Sequence, residues 1–417
     1  CGPTRLVEAV MPDTGVRLLL VDNPDLFRRP GGPYQNADGH DWPDNDRRFA
    51  VLSQAAARVA IGGANRAWRP DILHAHDWQT GLAAAYLKLA RVPAVKTVFT
   101  IHNLQYRGIF GADALARLEL PPQAFAIDGV EFHGDVSLLK AGLVYSDLVT
   151  TVSPTYAREI QTPEGGCGLD GLLRHRSADL SGIVNGVDYG YWSPEVDVFL
   201  RNRYSAADLT GKAREKAALV AELGLEGGEE RPLVGVVSRL TDQKGIDLVI
   251  DAAPALVAQG AEIVILGAGD ARLEQALGAL CEAHRGIVFR RGYDEPLAHR
   301  IIAAADLFAM PSRFEPCGLT QMYAMRYGTP PVVRRTGGLA DTVRDAVAGD
   351  AETGTGFVFD EPTTDALLTA LGRGITLYRD KERWCGLQRR AMAEDFGWTR
   401  AAATYRDLYD SLFVRAW

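Results

Sequence analysis

Two stretches of the chain hold the residue types that charge-separating chemistry needs. In Ser238-Arg239-Leu240-Thr241-Asp242-Gln243-Lys244-Gly245 a guanidinium and an ammonium share one short loop. Such a pair suits a diphosphate, because Arg grips two oxygens at once and Lys supplies a point charge. In Ser312-Arg313-Phe314-Glu315-Pro316-Cys317-Gly318-Leu319-Thr320 a carboxylate precedes a predicted helix running from Leu319 to Tyr327. Pro316 suits the first turn of a helix, and Gly318 lets a ligand approach the backbone. Bare N–H groups at a helix start attract anions. A carboxylate beside an anion site suggests a sugar phosphate, with Glu315 facing the sugar. Plain alternatives stand beside these readings: Glu315 complementing a helix dipole, and Arg239 and Lys244 as ordinary surface charge.

Further candidates follow the same pattern of polar or glycine residues at predicted strand ends. His74, His76 and Asp77 invite a metal reading, since strand alternation puts both histidines on one face. A parallel strand is buried on both faces, however, and a hydrogen-bonded core histidine is the commoner case, so no metal is expected. Asp77 is placed to cap the helix that follows. Gly267-Ala268-Gly269-Asp270 lacks the third glycine of a dinucleotide fingerprint and suits close approach to a base or ribose better than to a pyrophosphate. Gly337-Gly338 offers a second set of N–H donors or a simple helix-start turn. Tyr293 can stack on a base or pack. Cys317 is a poor nucleophile, because no positioned base accompanies it.

The elements that must position these residues alternate strand and helix twice over. In the first half, strands at Leu18–Asp22, Asp71–His76, Val95–Ile101 and Leu148–Val152 alternate with helices at Phe49–Ile61, Val136–Tyr145 and Pro154–Gln161 and with one through Leu89 that Asp77-Trp78-Gln79-Thr80 leads into. In the second, strands at Leu233–Val237, Ile263–Leu266, Ile287–Phe289, Asp306–Met310 and Thr329–Val333 alternate with helices such as Ile246–Gln259 and Leu273–Ala283. The prolines of Thr329–Val333 imply a sheet edge or a strand start. The pattern predicts two doubly wound α/β domains, which bind ligands beyond the carboxyl ends of their strands. The domains are expected at 1–186 and 187–397, with 398–417 as an amphipathic helix returning to the first. The Pro- and Gly-rich loop Phe27–Asn45, which carries Tyr34, is long enough to be functional or mobile.

Composition narrows the function classes. The chain has 417 residues, 45 basic and 53 acidic side chains and a formal charge of −8. That balance disfavours a general nucleic-acid binder, which needs a basic face. No run of apolar residues is long enough for a membrane span. The five scattered cysteines form no Cys-x-x-Cys, which fits a reducing cytoplasm better than a disulfide framework.

With these motifs assembled, the chain resembles the bacterial glycogen synthases and plant starch synthases. The resemblance rests on Asp71-Ile72-Leu73-His74-Ala75-His76-Asp77-Trp78, Phe99-Thr100-Ile101-His102-Asn103, Thr151-Val152-Ser153-Pro154-Thr155-Tyr156-Ala157, Val184-Asn185-Gly186-Val187-Asp188, Ser238 to Gly245, Ser312 to Gln321 and Arg334-Arg335-Thr336-Gly337-Gly338-Leu339-Ala340-Asp341. It implies GT-B architecture, two Rossmann-like domains facing across a cleft. It also implies retaining transfer of glucose from ADP-glucose to the non-reducing end of an α-1,4-glucan, with no metal and no further cofactor. Carried over by motif, Arg239 and Lys244 hold the diphosphate and Glu315 faces the donor glucose. Cys317, Gly318, Leu319, Thr320, Gly337 and Gly338 lie along the donor, and Tyr293 lies against adenine. Asp77, His102 and Asn185 contact glucose, and Tyr34 lies near the acceptor.

The chain departs from the family in one respect. The family opens with a strand and a Lys-Thr-Gly-Gly-Leu loop that touches the donor, and no such block occurs here, so the first strand is expected to be missing. Two alternatives therefore accompany the synthase reading: a related GT-B transferase using a UDP-sugar, and a non-catalytic glucan or nucleotide binder.

Overall fold

The computed structural model of the chain describes residues 3–63, 68–91, 94–228, 230–346 and 353–414. Cys1 lies outside them. Two compact units divide the chain. The first comprises Cys1–Thr151, Ala157–Ser181 and Arg406–Trp417, the second Val152–Tyr156 and Gly182–Tyr405. The sequence reading set the passages at 186/187 and 397/398; the units divide at 181/182 and 405/406, and the short segment Val152–Tyr156 counts with the second.

The second unit is built on a six-stranded parallel sheet, in the order Ile287–Arg291, Glu262–Gly267, Leu233–Val237, Leu307–Met310, Pro331–Arg334 and Phe357–Phe359. Runs such as Leu-Val-Gly-Val-Val need no alternation, because helices cover both sheet faces. Gly235 sits where a Cβ would press on Ala305 and Ile301 at 3.0 Å, which brings helix Glu295–Ala304 down onto the sheet. Pro331 opens its strand as expected, but that strand lies inside the sheet, between two neighbours, so the edge alternative falls. The missing N–H costs nothing at a first residue.

A buried ion pair braces the rear of this sheet. Lys216 Nζ lies 2.7 Å from Asp306 Oδ2, and the same carboxylate oxygen accepts from the Leu233 N–H at 2.7 Å. Beside it Lys212 is fully buried and donates to Ala303 O, Ala305 O and Thr329 Oγ1 at 2.6–2.9 Å. Burial lowers its pKa to about 7.

The first unit holds a four-stranded sheet in the order Ile72–His76, Lys96–Ile101, Leu148–Thr151 and Leu180–Gly182, the first three parallel. Strand Leu18–Asp22 was expected inside a buried sheet. Instead Arg17–Asp22 pairs antiparallel with Arg5–Val10 as a separate two-stranded hairpin, with Leu20 half exposed. A half-buried strand and a buried one look alike over six residues. The expected helix Val136–Tyr145 also divides: Asp135–Ser137 is a strand, and Ser137 then caps helix Leu138–Tyr145 by accepting from the Lys140 N–H at 3.2 Å. The closing helix runs Trp398–Val414, with Leu412 packed on Val98 and Leu148.

Candidate functional site

In the second unit the two motif stretches are held side by side. A short turn Asp242–Lys244 ends at Gly245, whose φ of 65° favours glycine and whose Cβ would lie 2.2 Å from Pro311 O. Only glycine allows the loops to come this close. The Arg313 N–H donates to Gln243 O at 2.8 Å, and Gln243 Nε2 reaches Phe314 O at 3.3 Å. Arg313 in turn forks onto Asp247 at 2.6 and 2.7 Å, the two-pronged geometry that fixes orientation best.

These ties bring Lys244 Nζ to 2.5 Å from Glu315 Oε2, which also accepts from Ser312 Oγ at 3.0 Å. Glu315 is only 5% exposed. A charge that deep requires a partner. Arg239, Lys244, Ser312 and Thr320 line one cavity of 190 Å³, with Met310 and Ile246 at its apolar wall. Arg239 is exposed at the end of strand Leu233–Val237.

The carboxylate is not at a helix start, as the sequence had suggested. Helix Thr320–Arg326 begins five residues after Glu315, so Pro316 lies in the preceding bends and not in its first turn. With seven residues this helix carries a small dipole. Charge compensation at the cavity therefore falls to Arg239 and Lys244. Leu319 flanks the helix, 38% exposed, and Thr320 opens it.

Gly337 and Gly338 begin helix Gly337–Thr342 directly against the Glu315 loop. A Cβ on Gly337 would fall 1.9 Å from Glu315 O, and one on Gly338 2.0 Å from Cys317 O. The Gly338 N–H donates to Glu315 O at 3.1 Å. Cys317 is buried and its thiol is pushed up to about 12, chiefly by burial, so it is inert at neutral pH. The thiol meets the Asn185 main-chain N–H, which brings Asn185 to the same loop. Gly318, at φ 68°, turns the chain toward Thr320.

Two neighbouring loops complete this edge. Gly269 lets its loop lie against the Arg239 loop, since a Cβ there would be 2.3 Å from Leu240 O. Asp270 caps helix Ala271–Ala283 through the Arg272 N–H at 2.8 Å. Internal packing thus accounts for the Gly-Ala-Gly-Asp sequence. Tyr293 follows the outer strand Ile287–Arg291 and is 86% exposed, with no packing role. The Gly292 N–H ties its loop to Gly267 O at 2.9 Å.

In the first unit, Asp77 does not cap a helix. Its backbone is left-handed, at φ 56°, and its Oδ1 accepts the His102 N–H at 2.7 Å. Burial raises its pKa, against the pull of the His102 and Asn103 N–H groups. His102 Nε2 lies 3.0 Å from His76 Nδ1. His74 uses both ring nitrogens, Nδ1 with Tyr409 OH at 2.7 Å and Nε2 with Thr100 Oγ1 at 2.6 Å, and is the hydrogen-bonded core histidine that strand burial favoured. Among the described residues, no group of three or more His, Cys, Asp or Glu could hold a metal ion. Tyr34 accepts from Gln79 Nε2 at 2.6 Å and packs on Phe49 and Trp78. Its loop is pinned at both ends, by Arg29 on Asp44 at 2.7 Å and by Arg48 on Leu26 O and Pro33 O.

Sequence reasoning passed over Ser312, Gln243 and His76 as supports of Glu315, Lys244 and His102. Ser312 had a signal, three residues before the acid; the other two act through pairings that only the fold creates.

Two Rossmann-like units, one of them carrying paired cations and a buried acid at its strand ends, define a glycosyltransferase of GT-B architecture. The chain is 52% identical to the glycogen synthase of Rhodospirillum rubrum over 413 residues, covering 99% of this chain and 85% of that protein. It is 51% identical to the glycogen synthase of Paramagnetospirillum magneticum, covering 98% and 83%. The chain belongs to the glycogen synthase family and is a hexosyltransferase. Residues 3–175 match the family model of the starch synthase catalytic domain, and 231–376 that of glycosyl transferases group 1. The catalytic domain of Arabidopsis thaliana starch synthase IV, solved with ADP and acarbose, superposes with a TM-score of 0.89 at 34% identity, covering 99% of this chain and 85% of that one. Sucrose-phosphate synthase of Thermosynechococcus elongatus shares the fold, with a TM-score of 0.60 at 19% identity over 99% of this chain and 86% of that one. Among the described residues no helix is long and apolar enough to cross a membrane.

Proposed function

We propose that the chain transfers glucose from ADP-glucose to the non-reducing end of an α-1,4-glucan with retention of configuration. The observation that carries this reading is that Lys244, paired with the buried Glu315, shares one cavity with Arg239. As the C1–O bond to ADP breaks, positive charge grows on the sugar and negative charge on the diphosphate. Arg239 and Lys244 stabilise the diphosphate, so the reaction needs no metal. Glu315 stabilises the sugar cation. Its Oε2 is held by Lys244 and Ser312, and the carboxylate is assigned to electrostatic stabilisation and not to attack on C1. The acceptor 4-hydroxyl therefore forms the new C1–O bond on the face that ADP leaves, and its proton passes to the departing phosphate oxygen. No covalent enzyme intermediate forms.

Main-chain groups of Cys317, Gly318, Leu319, Thr320, Gly337 and Gly338 lie along the donor, and Tyr293 takes the adenine. Asp77, His102 and Asn185 are assigned to the glucose and Tyr34 to the glucan. A cytoplasmic location fits the four described cysteines, all free thiols. The test is incorporation of radiolabelled glucose into glycogen from ADP-glucose and, separately, from UDP-glucose. Preference for ADP-glucose is expected. Preference for UDP-glucose removes the donor assignment, and binding without transfer removes the enzyme reading.

A further inference from the structure

His76 belongs to none of the roles above, yet its ring is hydrogen-bonded to His102. His74 is immobilised first, through Tyr409 OH and Thr100 Oγ1. Thr100 Oγ1 is itself bonded to Thr150 Oγ1 at 2.5 Å. The His76 ring then stacks on His74, centroids 4.3 Å apart and planes 24° from parallel. That stack fixes the plane of His76 and leaves its Nδ1 3.0 Å from His102 Nε2. Two imidazole nitrogens at this distance share one proton, so each ring dictates the tautomer of the other.

We infer that His76 is a positioning residue for sugar transfer: through the Nδ1–Nε2 hydrogen bond it fixes the ring orientation and tautomer of His102 and leaves Nδ1 of His102 as the atom available to a sugar hydroxyl. This rests on the assignment of His102 to glucose. The chain of contacts runs Tyr409, His74, His76, His102, all within the first unit. His76 keeps an exposed edge at the strand end, but desolvation by the protein packed around its ring, and then His102, lower its pKa to about 4, so at neutral pH it acts as an uncharged ring. The effect is geometric: a reacting group misplaced by about 1 Å can cost roughly a hundredfold in rate.

Two variants separate the hydrogen bond from the stack. His76→Phe keeps an aromatic ring on His74 and removes the bond. His76→Asn puts a polar atom near the Nδ1 position and removes the ring. The expected result is a fall in kcat of roughly ten- to hundredfold for His76→Phe, with KM for ADP-glucose unchanged, and kcat within about threefold of wild type for His76→Asn. Adding His76→Phe to His102→Ala is expected to cost little more than His102→Ala alone. Wild-type kcat in His76→Phe, equal losses in both His76 variants, or additive losses in the double variant would each overturn the inference. Wild-type activity in His102→Ala would instead overturn the assignment of His102 to glucose. If His76→Phe does not fold, side-chain ¹⁵N shifts of the unmodified protein decide: one fixed tautomer of His102 is expected, and an averaged pair of nitrogen shifts overturns the proposal.

Discussion

Lys244 and Glu315, 71 positions apart in the chain, meet at 2.5 Å with the acid almost wholly buried. Neither side chain is free for ordinary surface duty, and Lys244 lines the cavity that Arg239 also lines, with Glu315 behind it. Glu315→Gln keeps the size and the Ser312 contact but discards the charge. Turnover should fall about a hundredfold or more with circular dichroism unchanged. Lys244→Met should cost activity and stability together. It leaves a buried carboxylate without its cation, a loss of about 3–5 kcal/mol in urea unfolding. Near-wild-type turnover in either variant would remove the site.

At the rear of the same sheet, Lys216 and Asp306 form a pair with 5% and 8% side-chain exposure. Asp306→Ala strands Lys216 and frees the Leu233 N–H. A loss of about 3–5 kcal/mol is expected, with KM for the donor unchanged, because the pair sits at the opposite end of strand Leu233–Val237 from Arg239. Urea melts and initial rates on one preparation check both halves of the statement.

Gly338 has no space for a methyl group, since Cys317 O would sit 2.0 Å from it. Gly338→Ala must shift the Cys317–Gly318 backbone, which is assigned to the donor under the proposed function. KM for ADP-glucose should rise about tenfold or more, and overpacking should lower stability by about 1–3 kcal/mol. An unchanged KM would mean that this backbone does not line the donor.

Acid sensitivity should trace in part to His74. Burial first, then His76 and His102, lower its pKa from 6.5 to about 3. As pH falls below 6.5 the unfolded chain gains a proton that the fold refuses. Stability is therefore fully present above pH 6.5 and is lost toward pH 3. Urea midpoints at pH 7.5 and 4.5 should differ less in His74→Gln than in the unmodified protein.

Much of the second unit was legible because a parallel strand buried on both faces must be apolar throughout. Strand Leu233–Val237 has the predicted limits, and Leu307–Met310 differs by one residue. The opening hairpin was misread because six residues of Leu and Val do not reveal whether a helix will cover them. Helices Thr210–Leu223 and Glu295–Ala304 were missed despite local signals, the left-handed Gly224 after the one and Asp294 with Pro296 before the other. At the site, residue types and strand-end positions pointed to Arg239, Lys244 and Glu315. The capping alternative for Asp77 fell, because a capping carboxylate and one that reaches across to the next strand's turn have the same sequence. Nor does sequence reveal that Tyr409 bonds His74, 335 residues away.

Asp77 must satisfy a left-handed backbone and an oxygen acceptor at once. Of the residues one base change from an aspartate codon, glycine meets the first demand without the second, and glutamate the reverse. Asparagine alone meets both, as a neutral group. Genetic drift at this codon thus has a single exit that preserves shape, and a lineage that took it would reveal what the negative charge contributes without any engineering.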